Sequence, residues 1–306
     1  MEEEKSIKKV KVIPENGCSR FRWILTLVLS LTVGNLVGGL AGSLLMEFPV
    51  FKAGGSLACV AEFAESMMVF FLSFWMTVLF IKWIARTSFR SFVLGTVRIR
   101  HTGETWKIIG LYVIGLVIST LLTIKNIRLN TVTPPRTIIL TVVISLIFTW
   151  FQTTTEEMWF RGIFARFAYG DNIKKGFCAG TFFLVLVSSG LFMAMHLANP
   201  EVLSSKGSDV VFAVLSYIIP GIMWMVVDLY MGTLEAGMGL HWINNLIGFT
   251  LISSEVSAVG SNSIFVDYTS ANKGMWGFIA TLVANIPVLI YVIIKSRKKT
   301  EKPSLS

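Results

Sequence analysis

Trp23 to Met46 reads WILTLVLSLTVGNLVGGLAGSLLM, an uncharged apolar run long enough to cross the ~30 Å hydrocarbon layer as a helix and too long for the apolar region of a signal peptide. Similar runs recur along the 306 residues, of which 54% are hydrophobic and 15% charged, with a mean hydropathy of +0.69. A chain of this composition cannot close one soluble core around so much apolar surface. It is expected to be an all-α, polytopic integral membrane bundle of about eight transmembrane helices. The further spans are expected at Phe63–Ile81, Ile108–Ile124, Thr137–Phe167, Phe177–Met195, Val210–Met231, Leu234–Ile252 and Gly277–Ile294. The sixth is expected to kink or break near Pro220. No repeat or soluble insertion interrupts the series, so residues 23–296 read as one membrane domain between basic tails at 1–22 and 297–306.

The formal charge of +9 does not point to nucleic acid, because Lys and Arg gather in the tails and loops, as the positive-inside rule requires. Both termini are therefore expected in the cytosol, and the short loops and basic inner face suit a bacterial cell membrane. Arg86, Arg90, Arg98 and Arg100, interleaved with Phe89 and Phe92, suit a basic segment lying on an anionic inner leaflet. Lys125, Arg128 and Arg136 fall on the outer side and run against the rule. No phosphate-binding glycine loop is present, so neither a nucleotide nor a nucleic acid is expected as a partner. Cys18, Cys59 and Cys178 form no CxxC and imply neither a disulfide framework nor a metal site. Gly34, Gly38 and Gly42 repeat every four residues, a stripe that lets another helix approach closely.

One stretch resists this apolar background: Thr153-Thr154-Thr155-Glu156-Glu157-Met158-Trp159-Phe160-Arg161. A carboxylate at the centre of a membrane helix costs roughly 2.5–3.5 kcal/mol on insertion scales, so such an acid marks a functional site by default. Glu157 and Arg161 are four apart in the favoured order for an intrahelical ion pair, which leaves Glu156, about 100° round the helix, as the free acid. Of the three histidines, His101 lies in a basic loop, whereas His196 and His241 lie in apolar segments. A helical hairpin through Lys174 and Lys175 would bring His196 to about the height of the Glu pair. His241 and Asn245 share one helix face. A carboxylate, two imidazoles and an amide round one polar cavity suit the activation of water, with the imidazoles either binding a metal or donating to an oxyanion. Asp228 is expected to be a structural or helix-end charge, and Phe192 to wedge its helix one turn before His196.

The set Glu156-Glu157-xxx-Arg161, Phe192-xxx-His196 and His241-xxx-Asn245 resembles the three motifs of the CAAX-processing and bacteriocin-processing (CPBP, or Abi) intramembrane endopeptidases, over roughly residues 137–249. The resemblance implies a CAAX-protease-like hydrolase acting on membrane-associated or lipidated peptide substrates, with its catalytic groups in a cavity below the membrane surface and open to the cytosol. It implies Glu156 as general base with His196, and His241 with Asn245 as the oxyanion site, supported by Glu157, Arg161 and Phe192. Glu156, His196 and His241 would also make a three-ligand zinc site, although no HExxH helix is present. Two other readings stay open: a non-catalytic bacteriocin self-immunity or scaffold protein of the same fold, and a proton-coupled transporter, against which the absence of an inverted repeat counts.

Overall fold

The computed structural model describes residues 18–49, 56–94, 102–169, 179–257, 262–269 and 273–300. The first crossing is α1 (Arg20–Leu29), a π-helical turn (Ser30–Gly34) and α2 (Asn35–Met46). Then come α3 (Ser56–Trp83), the short α4 (Phe89–Leu94), α5 (Thr102–Thr123) and strand β1 (Ile127–Leu129). The fourth crossing is α6 (Pro135–Glu157), a second π-helical turn (Met158–Ile163) and α7 (Phe164–Tyr169). The rest is α8 (Ala179–Ala194), α9 (Pro200–Leu203), α10 (Ser208–Met231), α11 (Glu235–Thr250), β2 (Ile252–Ser254), β3 (Phe265–Asp267) and α12 (Lys273–Thr300).

Among the described residues six helices are long and apolar enough to cross a membrane: Arg20–Met46, Leu57–Trp83, Gly103–Asn126, Pro135–Ala168, Ser208–Met231 and Gly274–Ser296. The fifth expected span is represented among the described residues by α8 and the seventh by α11, which has 16 residues. At about 1.5 Å per residue α11 reaches only about 24 Å, short of the hydrocarbon thickness. It carries His241, so this polar motif coincides with an element that departs from a plain apolar span. Pro220 does not break its helix, which runs on to Met231; having no N–H, it leaves the Ser216 carbonyl without a helical donor.

Membrane solvation inverts the usual face pattern of a soluble helix. Along α6, Thr137, Thr141, Ser145, Thr149 and Thr153 recur every four residues and are buried, while Ile139, Val143, Leu146 and Ile147 are exposed. Small hydroxyl residues let backbones approach, and their O–H groups can donate back along the helix, as Thr153 does to the Thr149 carbonyl at 3.0 Å. The α6 helix packs against α3 and α11, and α12 packs against α5 and α10. At the α3–α6 contact Phe71, Phe74 and Phe151 meet edge to face, with ring centroids 4.8 and 5.2 Å apart for Phe71–Phe151 and Phe74–Phe151. The expected glycine stripe is an interface with α3: a Cβ on Gly38 would stand 2.7 Å from the Val69 Cα and carbonyl oxygen, and Gly34 and Gly42 face Ser73 and Glu65.

A feature absent from the expected all-helical plan is a three-stranded sheet in the order β1-β3-β2, with β1 antiparallel and β2 parallel to β3. It ties together the segments that follow α5 and α11 and precede α12. It therefore caps the end of the bundle opposite the one where α1 begins. At that other end the short α4 is tucked inward: Phe92 is buried against Trp23, with ring centroids 5.9 Å apart, and Arg166 lies over its ring at 4.3 Å. Of the expected basic surface segment, Arg90 is exposed, while Arg98, Arg100 and His101 lie outside the described residues, as does Cys178. Among the described residues Cys18 and Cys59 form no disulfide.

Candidate active site

Glu156 and Glu157 are the last two residues of α6, directly before the π-helical turn, and both are buried. Gly162, within that turn, has no room for a side chain: a Cβ there would run into the Phe92 ring and stand 2.9 Å from Leu234 Cδ1. Glu157 Oε1 is ion-paired with Arg161 Nη1 at 3.0 Å and hydrogen-bonded to His241 Nδ1 at 2.7 Å, all three side chains being almost wholly buried. The guanidinium is bracketed by aromatic faces, 4.3 Å from the Phe192 ring centroid and 5.9 Å from that of Trp224. Glu157 is thus the braced acid, as the spacing to Arg161 requires.

Glu156 faces the other way, into a cavity of about 510 Å³. Its Oε1 accepts from Gln152 Nε2 at 3.0 Å, and its Oε2, which has no hydrogen-bond partner, lies 3.4 Å from His241 Nε2. The Gln152 amide is itself set by a directed chain. Tyr112 donates to Asn244 Oδ1 at 2.8 Å, Asn244 Nδ2 to Asn245 Oδ1 at 3.0 Å, and Asn245 Nδ2 to Gln152 Oε1 at 3.2 Å. A phenol donor at one end and a carboxylate acceptor at the other leave each amide one orientation that satisfies both neighbours.

His241 is clamped on both edges and one face. Its Nδ1 serves Glu157, its Nε2 lies 3.3 Å from Asn245 Nδ2, and the Trp224 ring lies over it at 4.6 Å. The start of its helix is fixed as well: Asp228, near the end of α10, accepts the Gly237 N–H at 2.7 Å, and only glycine at 237 leaves space for that carboxylate. Asp228 is a helix-end charge, as expected, but it caps the next helix in the chain and not its own.

His196 lies two residues beyond the end of α8, in a turn where its N–H bonds the Met193 carbonyl at 2.8 Å. Its Nδ1 is 2.7 Å from the Phe192 carbonyl oxygen, which only accepts, so Nδ1 carries the proton and Nε2 is the open nitrogen. The ring stacks on Tyr217 at 4.5 Å. Burial holds the imidazole below the ordinary histidine range, with the Phe192 carbonyl pulling the other way. Phe192 is the hub as well as a wedge, touching His196 at 4.4 Å, His241 at 5.6 Å and the Arg161 guanidinium.

The structure thus brings Glu156, His196, His241 and Asn245 to one cavity, with Glu157 and Arg161 buried behind it and Phe192 on its wall. Of the two imidazoles it is that of His241 that approaches Glu156, at 3.4 Å; among the described residues no hydrogen bond joins Glu156 to His196, and the two meet only as lining of the same space. For a zinc ion the donors do not close into a set, because no group of three His, Cys, Asp or Glu among the described residues is placed to hold one. Four lining residues escape the sequence reading. Gln152, four before Glu156, and Asn244, beside Asn245, are visible in the spacing; Trp224 and Tyr217 come from α10 with no motif to announce them.

The cavity is long. From a floor at Glu156, Trp159, His241 and Trp224 it follows α11 through Asn245 and Gly248 to the strand Ile252–Ser254 and Ser257. It therefore leads toward the sheet, away from the end where α1 begins. An opening to the cytosol and cytosolic termini, both expected from the sequence, are incompatible in this architecture.

Residues 138–247 match the family model described as type II CAAX prenyl endopeptidase Rce1-like. Over 135 residues the chain is 30% identical to Uncharacterized protein YyaK of Bacillus subtilis (strain 168), a match spanning 44% of this chain and 42% of that protein. No solved structure matches the chain. Residues 138–247, which hold every one of the motif residues, are thus similar to the type II CAAX prenyl endopeptidase Rce1-like family, in agreement with the resemblance read from the motifs.

Proposed function

We propose that the protein is an intramembrane endopeptidase that hydrolyses peptide bonds of membrane-associated or lipidated peptides with water activated by Glu156. The observation that carries this reading is the unpartnered Glu156 Oε2 at the cavity floor, 3.4 Å from His241 Nε2 and framed by Asn245. A buried carboxylate with one oxygen held by Gln152 and the other without a hydrogen-bond partner among the described residues is oriented to accept a proton. In the proposed reaction Glu156 Oε2 takes a proton from water as the hydroxyl adds to the scissile carbonyl carbon. The oxyanion so formed meets the Asn245 amide and, when it is protonated, His241 Nε2. Collapse breaks the C–N bond, and Glu156 returns its proton to the departing amine. His196, whose Nε2 is open, serves as a second acceptor that orients the water. The wall mixes apolar side chains, among them Phe70, Met67 and Phe249, with Ser and Asn, which suits an extended peptide with apolar side chains or a lipid tail.

Glu156→Gln keeps shape and hydrogen bonding but removes the base. Peptide termini in membranes carrying this variant should lack products present with the wild type, and cleavage of any such peptide should fall by about 100- to 10,000-fold, with the protein accumulating normally. Unchanged termini would refute the peptidase reading and favour a scaffold of the same fold.

A further inference from the structure

The direction of the cavity and the distribution of charge together say from which side a substrate arrives. Each helix contributes lining residues at a definite point along its length. From α3 they are Ser66, Met67 and Phe70, in its first half; from α10 they run from Ser216 to Trp224; from α11 they lie beyond its first turn and continue into β2. Because α3 and α10 run toward the end where α1 begins and α11 runs away from it, these positions agree. The floor is toward the termini, and the lining continues to the sheet end, where Ser254 and Met195 are exposed.

The stretches of sequence that join the helices differ in charge between the two ends. In chain order, 20 of the 27 Lys and Arg fall in the terminal tails and in the stretches that join helices whose near ends are at the floor. Six fall in the stretches that join helices whose near ends are at the sheet: Lys52, Lys125, Arg128, Arg136, Lys206 and Lys273. The last, Arg161, is the buried partner of Glu157. Positive charge close to the spans is retained in the cytosol. Three of the six, Lys125, Arg128 and Arg136, lie in or near β1 and are the charges that run against the rule in the sequence; even with them the imbalance is better than threefold.

We infer that the cavity opens to the extracytosolic side, so that its substrates are peptide segments presented there: translocated peptides, or the outer portions of membrane-anchored proteins. The assignment of a substrate rests on the peptidase reading above; the assignment of the side does not. A segment entering past Ser254 descends along α11 and meets Glu156 at the floor, within the membrane.

Single cysteines test the side directly, in a chain with Cys18, Cys59 and Cys178 replaced by Ser. Ser254→Cys reports the mouth, Val132→Cys an exposed site at the same end outside the cavity, and Ser296→Cys the opposite end. With a membrane-impermeant maleimide on intact cells, the first two should label fully and the third only after permeabilisation. The reverse pattern overturns the inference and leaves the peptidase reading untouched. For the substrate, an impermeant amine-reactive reagent on intact cells should tag termini that vanish with Glu156→Gln. If all Glu156-dependent termini are cytosolic, the inference fails although the peptidase stands. If none exist on either side, the substrate assignment falls together with the peptidase reading, while the cysteine pattern still reports the side.

Discussion

Gln152 joins the two halves of the site: its Nε2 holds Glu156 and its Oε1 takes the amide of Asn245. Gln152→Leu breaks both links at nearly constant volume. Loss of a hydrogen bond to a carboxylate is worth about 1.5–3 kcal/mol, so cleavage should fall at least about tenfold, read as kcat on a peptide substrate with the amount of folded protein unchanged. Arg161 tells a different story. Its removal strands Glu157 in a dry pocket, a change that typically costs about 3–5 kcal/mol; Arg161→Ala should lower the thermal midpoint in detergent, and adding Glu157→Gln should recover part of the loss. The different surroundings of Glu156 and Glu157 were legible from the four-residue spacing to Arg161 alone. That His241 serves both carboxylates was not, because a contact between α6 and α11 depends on the height of each helix, and the Asp228–Gly237 cap that sets one of those heights lies outside the motifs.

At the scale of elements, the helices that shape the site meet through small residues. A Gly38→Leu substitution would drive a branched side chain into the α3 backbone at Val69. Since α3 supplies Phe70 and Met67 to the cavity wall, the variant should show faster proteolysis in membranes and weaker substrate binding, seen as a raised KM. The glycine stripe was readable as packing because its period matches a helix face. The shortness of α11 was not readable, since the apolar residues flanking its motif carry no mark of where the helix stops; His196 was expected at the end of a span and stands instead in a turn, where its backbone is held by Met193 and Asn199. The sheet was equally silent, being built from three-residue strands whose partners lie more than 100 residues apart in one case.

For the whole molecule, the three motifs fall within residues 138–247, yet the cavity wall begins at Asn35 and ends at Ser257. A chain cut to that segment would expose Glu156 and its neighbours where α2 and α3 now stand. It should be inactive and rapidly degraded by added protease in membranes, whereas co-expression of residues 1–134 should restore protection. Membrane class and the approximate number of helices followed from composition and run length, because burial in lipid asks only for apolar length. The direction of the cavity could not follow from those, since it depends on which half of each helix bears the lining.

The π-helical turn from Met158 to Ile163 carries a last consequence. A turn of this kind holds one residue more than an α-helix would use over the same rise, so the helix before it and the helix after it are out of phase by about one residue position. Upstream, that phase aims the two glutamates at His241 and the open cavity; downstream, it aims Arg166 at the Phe92 carbonyl and the Trp23 ring. Excising a single residue from the turn would leave an unbroken rod able to satisfy either set of partners but not both. The surplus residue is what allows one continuous crossing to line the cavity with one half and anchor the amino-terminal helix with the other.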